Sequence, residues 1–132
     1  GTFTSHEDLI LHCDAFTENE GHRGFLSILE KKRPFTAVVA ANDLLALGCF
    51  DAMRELGLSC PDDISVTGFN DMPFMNRISP PLTSLRIPHD EIGNQAARLL
   101  LERIQNPESK VRTLNLLPEL IIRGSTAPPK DA

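Results

Sequence analysis

The chain has 132 residues, 13 Lys+Arg against 18 Asp+Glu for a net charge of −5, and 10 Pro, 8 Gly, 3 Cys and no Trp or Tyr. That length holds one core without disulfide or metal support. No apolar run approaches the roughly 20 residues of a membrane span, and no secretion-signal layout is read in Gly1–Asp8. The acidic balance argues against non-specific nucleic-acid binding by this stretch. Cys13, Cys49 and Cys60 are odd in number and lack metal-type spacing, so the expectation is idle thiols in a reducing cytoplasm, with no metal and no cofactor.

In chain order, Leu9–His12 reads as a short buried strand. Thr17-Glu18-Asn19-Glu20 fits a capping box, opening a helix to about Lys32 with Phe25, Ile28 and Leu29 on its buried face. Phe35–Ala40 is β-branched and apolar on both alternating faces, the pattern of a central parallel strand covered on both sides. Asn42 is placed as an N-cap. Leu45, Cys49, Met53 and Leu56 then recur at helical spacing up to Gly57, suited to a left-handed stop. Ile64–Gly68 is a third strand, ending at Phe69-Asn70-Asp71. Beyond Ser79-Pro80-Pro81, Leu82–Ile87 is extended, and Asp90 caps a helix to Gln105 whose apolar face is Ile92, Ala96, Leu99, Leu100 and Ile104. Leu114–Ile122, interrupted by Pro118, reads as an edge strand, and Gly124–Lys130 as a frayed tail. Strand, helix, strand, helix, strand predicts an α/β fold: a parallel sheet flanked by helices.

Such sheets bind ligands beyond the carboxyl ends of their strands. Those ends carry Asp14, then Asn42 and Asp43, then Asn70 and Asp71, with Phe16 at the same rim. Amides that both donate and accept suit hydroxyl-rich ligands. Against this stands capping: Asn and Asp are favoured where helices begin, and Phe16 fits a hydrophobic staple. There is no phosphate loop, nucleophile elbow or zincin pattern, so an enzyme is not expected. A hydrolase built on Asp14, Asp43 and Asp71 is the weakest alternative.

The segments Phe35–Gly48, Gly57–Asp71, Pro80–Arg86 and Leu117–Thr126 occur in an order and spacing that resemble the effector-binding domain of LacI/GalR-type bacterial transcription repressors. The resemblance implies a periplasmic-binding-protein-like type I fold whose two lobes close on a small effector, a sugar or related metabolite. It implies that 5–80 and 114–124 belong to the C-terminal lobe, 82–112 to a crossover and a helix of the N-terminal lobe, and 125–132 to a tail. The DNA-reading headpiece, and most of the N-terminal lobe, would precede Gly1. It further implies a cytoplasmic homodimer that meets operator DNA only through that headpiece, without membrane contact. An exported solute-binding protein of a sugar transport system is the alternative.

Carried over residue by residue, Asn42 matches the Asn of the family's A-N-D motif and Asn70 the first acid of its F-D-D motif. Phe16 lies where relatives place an aromatic against the ligand, although Ala15 replaces their Asp. These three are the candidate ligand contacts. The amide at Asn70 weighs against an ordinary neutral sugar and favours a ligand with a carbonyl, phosphate or carboxylate. Finally, Ile92, Ala96 and Leu99 are expected to be left without packing partners within this chain, which predicts association.

Overall fold

The computed structural model describes residues 7–130. Residues 5 and 6 of the expected C-terminal lobe and 131–132 of the expected tail lie outside the described residues. Helix α1 (Glu18–Glu30) is capped as its sequence requires: the Thr17 hydroxyl accepts from the Glu20 amide at 3.3 Å. Glu20 reaches back not to Thr17 but to the Asp14 amide, at 2.9 Å, so the cap also anchors the chain entering it. After β1 (Ala37–Val39), helix α2 (Asp43–Glu55) begins where the Asn42 side chain accepts from Leu45 N–H at 2.9 Å. It stops at Gly57, whose φ of 69° is the left-handed stop that glycine allows.

Strands β2 (Ser65–Asn70) and β3 (Thr83–Arg86) follow, then α3 (His89–Gln105) and β4 (Glu119–Ile121). The sheet order is β1-β2-β3-β4. β1, β2 and β3 run parallel, and β4 closes the far edge antiparallel to β3, so the sheet is mixed rather than all parallel. α2 packs on β2, and α1 packs on α2. Their interface holds Phe25, Leu45, Ala46, Cys49, Ala52 and Met53, continuous with Val66 and Leu82 of the sheet layer. The loop 71–82 that joins β2 to β3 contributes Met75 to this core, pinned by a hydrogen bond from Leu82 N–H to Met75 O at 2.9 Å.

Four expectations are corrected. Leu9–His12 is not a strand: a 3-10 turn covers Glu7–Leu9 and irregular chain follows, separated from β1 by an apolar cavity of about 530 Å³. As a result β1 is an edge strand instead of a central one, and Val39 is 84% exposed. Asp90 is not the cap of α3; Pro88 holds that position without a side-chain hydrogen bond. The tail does not fray at Gly124. Ser125 is fully buried: its carbonyl accepts from Val66 N–H at 2.9 Å, and its hydroxyl donates to Val66 O at 2.6 Å and accepts from Thr83 N–H at 2.8 Å. A polar Ser-Thr-Ala run is held there because it supplies partners to strand ends the sheet leaves unpaired.

Of the α3 residues expected to lack partners, Ile92 and Ala96 are exposed, while Leu99 is half-buried. No α3 residue is fully buried, and Leu100, Leu101 and Ile104 are exposed as well.

Candidate ligand-binding cleft

A cleft of about 760 Å³ lies beyond the carboxyl ends of β2 and β3, the place such sheets offer a ligand. The register pairs Asn70 with Arg86, so the residues leaving these two parallel strands face one another. Asn70, Asp71 and the following loop form one wall. Ile87–Glu91 and Asn94, at the start of α3, form the other, with Arg123 beneath.

Behind this wall is a charge cluster. Arg123 Nη1 donates to Asp71 Oδ1 at 2.6 Å and to Leu82 O at 2.6 Å, while Arg86 Nε and Nη2 reach Asp71 Oδ2 at 2.8 and 2.7 Å. The Asp71 side chain is only 5% exposed, and the Arg123 guanidinium, then Arg86, hold its carboxyl below the usual range against the opposing effect of burial. Glu119 stands 3.7 Å from Arg86. Two acids and two guanidinium groups thus cancel, and neither arginine is a free anion receptor.

Beside the acidic Asp90 and Glu91 of the facing wall, the cleft carries neutral polar side chains. The side chains of Asn70, Asn76 and Asn94 all border the cleft and make no hydrogen bond among the described residues. Each carboxamide offers donors and an acceptor to an occupant.

The three candidates separate. Asn70 lines this cleft, at φ 108°. Asn42 does not: its carboxamide oxygen is the α2 cap, and only its nitrogen is without a partner among the described residues. It nevertheless sits three residues past Val39, as Asn70 sits three past Thr67, the residue paired with Val39, so both leave the same end of the sheet. Phe16 is 64% exposed and borders the apolar cavity beside Leu9–Cys13 and β1, apart from Asn70. Sequence reasoning missed Arg86, His89, Asn94 and Arg123. Treating Leu82–Ile87 as a crossover hid that it is a third parallel strand, whose carboxyl end belongs to the same crevice. Parallel pairing of β3 with β2 was the signal.

The hydrolase alternative lacks its parts. Asp14 is fully solvated, and both oxygens of Asp43 and of Asp71 already accept hydrogen bonds. Burial pushes the thiols of Cys49 and Cys60 up to about 12 and about 11, far from nucleophilic thiolates. No described helix is long and apolar enough to cross a membrane.

Comparison with known proteins places the fold in a family. The family described as periplasmic binding protein-like domain matches residues 4–126. The chain is 46% identical over 95 residues to the HTH-type transcriptional regulator MalR of Streptomyces coelicolor, covering 72% of this chain and 28% of that protein. It is 40% identical over 109 residues to a lactose operon repressor of Rhizobium radiobacter, covering 83% of this chain and 96% of that one. Among solved structures, a LacI family transcriptional regulator from Enterococcus faecium with bound ribose superposes with TM-score 0.78 at 36% identity, over 87% of this chain and 42% of that chain. The regulator CelR in complex with cellobiose gives TM-score 0.86 at 31% identity, over 92% and 37%. The chain thus spans little more than a quarter of MalR and well under half of the solved regulators. These relatives are transcriptional regulators and not enzymes. A mixed sheet with its cleft at the strand ends, a family match over nearly the whole length and repressors as relatives have one meaning: the chain belongs to the LacI family, within its periplasmic-binding-protein-like effector-binding domain.

Proposed function

We propose that this chain senses a small, neutral, hydroxyl-rich molecule, a sugar or close relative, for a LacI-type regulator, and that Asn70 is its principal contact here. The observation that carries the reading is the cleft beyond β2 and β3, where unpaired carboxamides stand around a charge cluster that is already neutralised. The objection that an amide at Asn70 disfavours neutral sugars loses force, because the arginines that would draw an anion are engaged by Asp71. Asp90 and Glu91 on the facing wall would repel one as well. The relatives solved with ribose and with cellobiose point the same way.

On this reading residues 7–86 and 114–124 form one lobe, with β3 inside its sheet between β2 and β4, while 87–112 reach into a second lobe that completes the cleft. The support is α3, which borders the cleft at its first turn and has no fully buried residue along its length. Asn42 and Phe16 join the site from the first-lobe side on closure. Effector binding biases the lobe arrangement of a cytoplasmic homodimer, and a separate headpiece reads operator DNA, with coupling of about 1–3 kcal/mol acting equally in both directions.

A titration of the isotope-labelled chain with ribose, cellobiose and other neutral mono- and disaccharides, followed by amide shifts, tests the site. Shifts centred on residues 70–76 and 87–94 are expected. An Asn70→Ala variant is expected to bind about tenfold more weakly, the loss of one well-placed hydrogen-bonding side chain. Shifts confined to other regions, or unchanged affinity in the variant, would refute the assignment of Asn70.

A further inference from the structure

The backbone that presents Asn70 is unusual. Asn70 and Asp71 have φ values of 108° and 54°, two consecutive non-glycine residues in a region that L side chains enter at a cost. Such a conformation persists only where surrounding groups over-determine it. Two buried side chains do so here, and neither touches the cleft.

Asp43, the first residue of α2, has no exposed surface. Its Oδ2 accepts from Met72 N–H at 2.6 Å, and its Oδ1 accepts from the Ser84 hydroxyl at 2.6 Å. Ser84, on β3 and also fully buried, accepts in turn from Asp71 N–H at 3.1 Å. The two amides following Asn70 are therefore fixed by one hydrogen-bonded pair of side chains drawn from α2 and β3. There is no slack around it: a Cβ added at Gly68 would lie 2.3 Å from Asp43 Oδ1. The adjoining residue, Asn42, caps the same helix, so one helix start sets the position of both asparagines that leave the strand ends.

We infer that Asp43 and Ser84 are positioning residues for the ligand site: their hydrogen bonds to Met72 and Asp71 hold the strained turn that aims Asn70 into the cleft. The inference rests on the assignment of Asn70 above, but its test does not require a ligand.

Amide hydrogen exchange of the chain measures the clamp directly. In the unaltered protein, Asp71 and Met72 should exchange as slowly as amides within β2, and far more slowly than Asn76 of the same loop. Ser84→Ala and Asp43→Asn should each accelerate exchange at 71 and 72 by about tenfold or more, the loss expected for a buried bond to a charged or polar acceptor, while α1 amides change much less. Ser84→Thr, which keeps the hydroxyl, should restore protection. In sugar titrations the two clamp variants should weaken binding while Asn70→Ala leaves the protection of 71 and 72 intact. Fast exchange at 71 and 72 in the unaltered protein overturns the inference without needing any variant. So does acceleration spread equally over all amides, which marks a loss of global stability alone. Protection that behaves as described while no sugar binds would fault the ligand assignment and leave the clamp standing.

Discussion

Asp71 shows how one carboxylate can serve the fold and the site together. It neutralises Arg86 and Arg123 and ties the loop after β2 to the chain leaving β4, so that neither arginine leaves a free positive charge on its side of the cleft. Removing its charge leaves Arg123, 14% exposed, without its partner. Asp71→Asn should therefore cost about 2 kcal/mol at neutral pH, less than a fully buried pair because Arg86 is half in water. Chemical denaturation would show this as a lowered midpoint at unchanged slope. The pH dependence has a definite sign. The Asp71 carboxyl is held below its ordinary 3.8 in the folded chain, so its contribution is complete above about pH 4 and is lost as pH falls below that. Glu20, lowered from 4.5 to about 2 first by its hydrogen bond from Arg23 and then by the Asp14 amide, acts in the same direction between those values. In denaturation midpoints measured from pH 6 downward, the acid loss should be shallower in Asp71→Asn than in the parent.

At the scale of elements, the α1–α2 pair depends on glycines that periodicity could not register as a buried face. A Cβ at Gly48 would lie 2.0 Å from Glu18 O and 2.5 Å from His22 N, and one at Gly21 would lie 2.1 Å from Leu45 O. These are backbone atoms and cannot swing aside, so Gly48→Ala must separate the helices, at a cost of about 3 kcal/mol. Gly93, on the exposed helix α3, has nothing within 4 Å of its would-be Cβ, and Gly93→Ala should stabilise by about 0.5 kcal/mol. Thermal melts of the two variants should move in opposite directions. α3 itself presents Leu100, Leu101 and Ile104 to solvent, joined by Val111 and Leu117, each 88% exposed. Sedimentation at high concentration is expected to show association, reduced in a Leu101→Lys, Ile104→Lys double variant whose melting temperature is nearly unchanged. A parent chain that stays monomeric would contradict this.

For the molecule as a whole, much was legible in the sequence because local rules and global fold agree. The caps at Thr17 and Asn42, the stop at Gly57 and the burial of Leu45, Cys49 and Met53 at helical spacing each depend on a few neighbouring residues and are realised, while Leu56, the last of that repeat, is half exposed. Illegible features depend on distant partners. Leu9–His12 has strand composition but does not pair with β1, which turns an expected central strand into an edge. Ser125 reads as tail, yet it fills hydrogen bonds at the starts of β2 and β3. The candidate site divides similarly: Asn70 was reachable from the rule about strand ends, whereas Arg86, Arg123 and the Asp43–Ser84 pair became visible only once β3 was seen parallel to β2. The measurement closest to the central claim is the amide-shift titration with neutral sugars, run in parallel on the parent chain and on Asn70→Ala. Saturable shifts at residues 70–76 and 87–94, with affinity weakened about tenfold by the substitution, are expected. Shifts elsewhere, no shifts with any neutral sugar, or equal affinity in the two proteins would contradict that claim.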